Sequence, residues 1–231
     1  MIGAARSGLL GSGVAINDNA IYQYDAQALS EFDDNDMVST WPDEISGEDM
    51  SGEATYKDNG INNNPSLEFD GSDSVGFSNA FSDTEDVPNT VIAIIEGASF
   101  SETNTITEGG DQANHLLRVG DGGDNFDIQN DGGITGGNPQ TNTPYIFVGL
   151  FSGNNSRIRI NGTEIASGDI GTRSLPQSAG DSWYIGQNDN ETRSWDGFIG
   201  EIIAYNVDLE DEGDLSDEES RLSRKWDISL D

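Results

Sequence analysis

The sequence predicts an all-β protein, a jelly-roll β-sandwich with one short C-terminal helix. Short apolar runs recur at close spacing along most of the 231 residues, and clusters of Gly, Asn and Asp separate them. Strands pack into sheets only when tight turns join them, so this pattern, with 29 glycines and almost no helical periodicity, indicates packed sheets. One stretch near the C-terminus, SDEESRLSRKW, carries a helix signature instead.

Residues 1–20 open with MIGAARSGLLGSGVAI, which imitates a signal peptide weakly: one Arg, then small and apolar residues. Glycines interrupt its apolar core, so it reads as a retained N-terminal arm, an assembly contact docked on a neighbouring subunit or on its own domain. From 21 to 231 no repeat and no linker marks a boundary, and the length suits one all-β domain. Candidate strands are 21–26 (IYQYDA), 66–71, 90–98, 115–120, 145–153, 156–160, 163–167, 183–187 and 198–206. TVIAIIEG and YIFVGLF are nearly continuous apolar runs, which predicts central strands covered on both faces. In RIRINGTEIAS, Asn161-Gly162 supplies the two positive-φ residues of a type I′ turn. Ile158 and Ile160 share one face of that hairpin, and Arg157 and Arg159 the other. The helix is predicted to begin at Ser216 as N-cap, with Glu219 completing a capping box. Acidic residues then fill its first turn and Arg221, Arg224 and Lys225 follow, as the helix dipole favours; Leu222 and Trp226, four apart, share a buried face.

The chain carries 43 acidic and 10 basic residues, a formal net charge of −33, and only two lysines, Lys57 and Lys225. Such a charge repels itself and opposes compaction in ordinary buffer. At molar salt the Debye length falls to about 3 Å and most of that repulsion disappears. The expected setting is therefore salt-saturated. Nucleic acid and anionic membrane are poor partners, since both require a basic patch. Cysteine is absent, which excludes disulfides and thiolate chemistry, and the single histidine, His115, excludes multi-His metal sites. No apolar run approaches the roughly 18 residues of a membrane span, so no insertion is expected.

SLEFDGSDSVGF, PYIFVGLFSGNNSRIRINGTEIASG, WYIGQ and WDGFIGEIIAYNVDL, followed by the acidic-capped helix ending in RKWDI, resemble the concanavalin A-like lectin/glucanase superfamily, and within it the laminin-G-like branch. The opening YDAQALSEFDDNDMVSTWPDEISG is similar to that branch's W-x-D-x-S-G turn, here Trp41, Asp43, Ser46 and Gly47. The resemblance covers residues 21–229. It implies the sandwich fold and places Trp41, Trp183, Trp195 and Trp226 in the core. It decides little about activity, because the fold hosts lectins, glycosidases, adhesion modules and virion proteins of tailed viruses.

Glucanases of the superfamily carry paired glutamates, E-x-D-x-x-E, on one strand. The nearest stretch, Glu68-Phe69-Asp70-Gly71-Ser72-Asp73, ends in Asp and is interrupted by Gly71 and Ser72, while Glu201 is followed at +2 and +4 by Ile203 and Tyr205. A retaining glycosidase needs two carboxyls about 5–5.5 Å apart. No catalytic residue is assigned, no enzyme is expected, and Glu201 reads as framework, bonded to a neighbouring strand or an Arg. The resemblance also implies a calcium ion at the sandwich rim, for which Asp121, Asp124 and Asp127 in GDGGDNFDIQNDGG are candidates; the alternative is an acidic hairpin loop. Candidate glycan contacts are His115 and Arg118 on one strand, and Asn188, Asn190 and Arg193 in the loop before Trp195.

These features lead to the expectation of a virion surface protein, a capsid turret, decoration or tail-fibre component, of a tailed virus of a halophilic archaeon. Its partners would be other virion proteins, copies of itself and host surface glycans. The alternative is a carbohydrate-binding module on a halophile's own cell surface, and a third reading, ranked last, is a glycoside hydrolase.

Overall fold

The computed structural model describes residues 16–72, 76–80, 84–100, 104–110, 114–120, 125–175 and 180–231. Most of the proposed arm, residues 1–15, lies outside them. Fifteen strands run through the described residues: β1 (Ala20–Asp25), β2 (Met37–Trp41), β3 (Met50–Lys57), β4 (Ser66–Asp70), β5 (Gly76–Ala80), β6 (Asn89–Gly97), β7 (Asn104–Gly109), β8 (Asn114–Val119), β9 (Phe126–Gln129), β10 (Gly133–Gly136), β11 (Pro144–Phe151), β12 (Ser156–Ile160), β13 (Thr163–Gly168), β14 (Ser182–Ile185) and β15 (Asp196–Tyr205). Two helices follow, α1 (Leu209–Glu212) and α2 (Leu215–Trp226). All pairings are antiparallel. One ladder runs β10-β9-β8-β7-β14-β5-β3 and continues through β4-β15-β6-β11-β12-β13, with β1 beside β15 and β2 beside β3. It folds back so that β10 lies against β13, giving a polar front sheet and an apolar back sheet.

Alternation in the strands assigns the faces. Ile106, Leu117, Val119, Phe126, Ile128, Trp183 and Ile185 from the front sheet meet Val91, Ala93, Ile95, Phe147 and Ile202 from the back sheet in the main core. Tyr24 stands between Trp41 and Trp183, with ring centroids 5.9 and 6.2 Å away. The opposite face of the back sheet is also apolar: Ile92 and Ile94 of β6, Ile146, Val148 and Leu150 of β11, and Ile203 and Tyr205 of β15. Helix α2 covers it with Leu215, Leu222 and Trp226. The two apolar runs are thus central strands covered twice, as expected, and all four tryptophans are fully buried.

The Asn161-Gly162 turn has φ of 48° and 86°, the two positive values a type I′ hairpin needs. Two expectations about the helix are corrected. It begins at Leu215, with Asp214 at the N-cap position, so Ser216 lies inside it. Glu219 does not reach back to a cap; it binds the Arg159 guanidinium at 3.0 and 2.9 Å, because that cation on β12 faces the helix. The side chain that does cap is Asp208, which accepts from the backbone of Glu210 and Asp211 to start α1.

A β-bulge decides what β15 presents to the helix. Ile199 points into the main core; the register then shifts at Gly200, so Glu201 and Ile203 turn to the helix side while Ile202 returns to the core. A Cβ on Gly200 would sit 2.5 Å from the Trp226 ring. Gly200→Ala should therefore push α2 off the sheet and cost about 1–3 kcal/mol, measured as a lower urea midpoint in concentrated salt with unchanged far-UV spectrum.

Candidate functional site

Two groups of polar side chains stand out, one under helix α2 and one on the outer face of the front sheet. Under the helix, Glu201 is fully buried. Gln23 Nε2 donates to its Oε1 at 2.6 Å, and Lys225 Nζ and Trp226 Nε1 donate to Oε2 at 2.7 and 2.9 Å. Arg221 lies 3.7 Å from Oε1 and forks onto Glu218, which also accepts from the Tyr205 hydroxyl. Burial alone would raise the Glu201 carboxyl, but Lys225 and Arg221 together overcome it and hold the group below its usual range. Lys225 also reaches Asp25 on β1 at 2.6 Å. Burial, and then the neighbouring Glu201 charge, push Asp25 up to about 6. Glu201 is framework, as the sequence indicated, tied both to a neighbouring strand and to cations of the helix. A carboxylate sealed on all sides cannot meet a substrate.

The outer face of the front sheet is polar. Register places Thr105 opposite Arg118, Arg118 opposite Asp127 and Asp127 opposite Thr135, a row across β7, β8, β9 and β10. Arg118 Nε and Nη2 both reach Asp127 Oδ2 at 2.6 Å, and Gln129 Nε2 donates to the same oxygen at 3.1 Å. Asp127 Oδ1 and Thr105 Oγ1 are buried without a hydrogen-bond partner. A buried acceptor left bare costs about 1–3 kcal/mol. A second row on the same face places Tyr184 between Glu108 and Ser78. Tyr184 is half-buried, its neighbours Trp183 and Ile185 pointing inward.

The loop 187–193 is fastened beside these rows. Asn188 Oδ1 accepts from the backbone of Thr192 and Arg193 at 2.8 and 2.9 Å, its Nδ2 donates to Asn190, and Asp189 N donates to Glu108 at 3.2 Å. Thr105 N donates to the Arg193 carbonyl. Four of the five predicted glycan contacts, Arg118, Asn188, Asn190 and Arg193, therefore gather around β7. Within the loop, Asn190 and Arg193 are exposed whereas Asn188 is buried as its internal brace.

His115 is a correction. It is fully buried in the main core, stacked on Phe151 with ring centroids 4.4 Å apart, and cannot touch a surface sugar. Of the three calcium candidates, Asp127 is placed on β9, its Oδ2 held by Arg118. Asp121 and Asp124 lie outside the described residues. Thr105, Glu108, Gln129 and Tyr184 were missed. Alternation in WYIGQ carried the signal for Tyr184, since burying Trp183 and Ile185 leaves the tyrosine outward.

A family model for the concanavalin A-like lectin/glucanases superfamily matches residues 60–212. The chain belongs to this superfamily. No curated protein matches it in sequence. Among solved structures, Trypanosoma rangeli sialidase is similar over 94% of this chain and 34% of its own, with a TM-score of 0.62 and 15% identity. A complex of the same sialidase with 2,3-difluorosialic acid, a covalent intermediate, gives 0.62 and 14% over 35% of its length. Domain 4 of AbnA, a GH43 extracellular arabinanase from Geobacillus stearothermophilus, in complex with arabinotriose, is matched over 93% of its length and 81% of this chain, with TM-score 0.56 and 16% identity. The chain spans about a third of the sialidase chains, and identities this low establish a shared fold.

These likenesses correct the expectation that the chain is no enzyme. That expectation rested on a missing carboxylate pair, yet the fold is shared with chains of a sialidase and an arabinanase, both glycoside hydrolases.

Two predictions follow from the buried network. Glu201→Gln should cost about 3 kcal/mol, because Lys225 and Arg221 lose the carboxylate between them; equilibrium urea unfolding in concentrated salt measures it. Asp25 has the opposite sense. Its folded value near 6 lies above the ordinary 3.8, so the folded chain takes up the proton first and gains stability from this group as pH falls from about 7 towards 4. Asp25→Asn should remove that gain, seen as a smaller rise in urea midpoint over the same pH series.

Proposed function

We propose that this sandwich binds glycans across the outer face of its front sheet. The observation that carries the reading is the Arg118–Asp127 ion pair on the outer sheet face, beside the half-buried Tyr184 and the exposed Asn190 and Arg193 of the adjoining loop. Sugars are recognised by hydroxyls that donate and accept at once, by planar polar groups and by an aromatic surface. Arg118 supplies donors, the exposed Asn190 an amide that donates and accepts, and Tyr184 an aromatic ring. The arabinotriose held by a domain of the same fold, matched over 93% of its length, supports the class of ligand.

The finer proposal is a setting on a virion surface, as a turret, decoration or tail-fibre component of a virus from a salt-saturated habitat, contacting host envelope glycans. The net charge of −33 supports the salt and the exclusion of nucleic acid partners. Antibody against the chain should label purified particles; labelling of uninfected cell envelopes instead would move it to a cellular surface.

Binding of neutral and acidic oligosaccharides in about 3 M NaCl, by calorimetry, tests the glycan reading. Arg118→Ala and Tyr184→Ser should each weaken the best ligand by about tenfold or more, the equivalent of one charge-assisted hydrogen bond, with circular dichroism unchanged. Affinity should persist between about 1 and 3 M salt, because short contacts are not screened. No binding by any oligosaccharide, or equal binding by both variants, would defeat the proposal. Release of free sugar from the bound ligand would make the face an active site.

A further inference from the structure

The one histidine of the chain sits where a neutral imidazole does not fit. His115 Nδ1 faces Asn114 Oδ1 at 3.1 Å and Nε2 faces Asn89 Oδ1 at 2.9 Å. Neither amide is free to turn its nitrogen to the ring. Asn114 Nδ2 donates to the Ser174 carbonyl at 2.8 Å and Asn89 Nδ2 to the Asp86 carbonyl at 3.1 Å, so a flip of either would set oxygen against oxygen. Neutral imidazole has one N–H and one lone pair, and one of its two contacts would be lone pair against lone pair. Imidazolium has two donors and satisfies both. The backbone is committed to this placement as well: His115 has φ +43°, rare for a side-chain-bearing residue, at a register shift between β7 and β8.

We propose that His115 is a buried imidazolium at neutral pH, and that its two-oxygen cradle is a proton-operated latch joining β6, β8 and segment 171–175. Burial opposes this and pulls the imidazole down, towards about 3. Three things act against burial. Both hydrogen bonds become charge-assisted on protonation, and such bonds are about twice as strong as neutral ones. Phe151 lies under the ring at 4.4 Å and attracts a cation. The chain as a whole is strongly acidic. Among the described residues no charged side chain is bonded to the ring. The charged groups on the elements packed around it, among the described residues, are Glu85 and Asp86 before β6, Glu96 at the other end of β6, Glu108 and Arg118 on the outward faces of β7 and β8, and Arg173, which pairs with Asp131 at 2.7 Å.

The latch closes one end of the sandwich. Glu85 and Leu175 exchange two backbone hydrogen bonds there, at 2.7 and 2.8 Å, and Ser174 Oγ donates to Asp86. Beside them Val87, Pro88, Ser152, Gly153, Asn154, Asn155 and Thr172 line a cavity of about 390 Å³. Loss of the proton frees one amide oxygen from its donor and loosens the two segments that rim this cavity.

Because the chain has one histidine, nitrogen-15 NMR of the imidazole in the full chain reads the proposal directly. Both ring nitrogens should carry a proton at pH 7, and one should lose it as pH rises towards 9. The folded value then lies above the ordinary 6.5, so stability from this group is full below 6.5 and declines through the folded value; the thermal midpoint should drop over the same interval. Asn89→Leu removes one acceptor and should return the ring to a single proton at pH 7. A single protonated nitrogen in the wild-type chain between pH 5 and 7 overturns the proposal, as does an imidazole unchanged by Asn89→Leu.

Discussion

A strand that is apolar on both faces has to be covered twice, and the rest of this structure follows from that requirement. β6, β11 and β15 form the centre of the back sheet, and burial of an apolar side chain contributes roughly 1.5–3 kcal/mol only if something covers it. One face finds the front sheet. The other has no second sheet to meet, and α2 takes that place with Leu215, Leu222 and Trp226. The bulge at Gly200 serves the same end, since it provides the flat spot on which the Trp226 ring lies.

Cations are scarce, and their positions follow the cover. Four of the ten basic residues, Arg157, Arg159, Arg221 and Lys225, meet carboxylates at the seam between the helices and the back sheet. With 43 acidic residues in the chain, the carboxylates gathered where the helices meet the sheet, Asp25, Glu201, Asp208, Glu218 and Glu219, would repel one another unless each contact carried its own counter-ion. Salt screens charges separated by more than a Debye length, but it does not enter a buried pair. Molar salt and the seam therefore act on different parts of the repulsion: the first on the surface as a whole, the second on contacts where water is excluded.

What could be read from the sequence follows the same division between apolar and polar. TVIAIIEG, YIFVGLF and FIGEIIAY announced themselves because both their faces are buried. The missed strands, such as MVSTW, NTITEG and FDIQ, belong to the front sheet or its edges, where one face is polar and the runs are too short to stand out. The helix was legible in its periodicity but not in its start, since Glu219, the residue that imitated a capping box, answers to Arg159 across 60 positions. Arg118 and the 188–193 loop were picked as unrelated candidates. Only the register of β7 against β8 and β14 brings them together, and no local pattern encodes that register.

The same asymmetry selects which face is left for a ligand. The outer face of the back sheet is closed by α2, and the fully buried carboxylate there, Glu201, is held by four side chains. The space between the sheets is filled with aromatic and branched side chains, and its one imidazole, His115, is held by two asparagines. Of the broad sheet faces, that leaves the outer front sheet, where cross-strand neighbours are Thr, Arg, Asp, Tyr and Glu rather than Ile and Val. Polar side chains on a sheet face can be explained by contact with water alone, but water does not explain an acceptor that is buried and bare. Asp127 Oδ1 and Thr105 Oγ1, on either side of Arg118 in one row, both lack a donor, and the side chains around them that a ligand would reach are Arg118, Tyr184, Asn190 and Arg193.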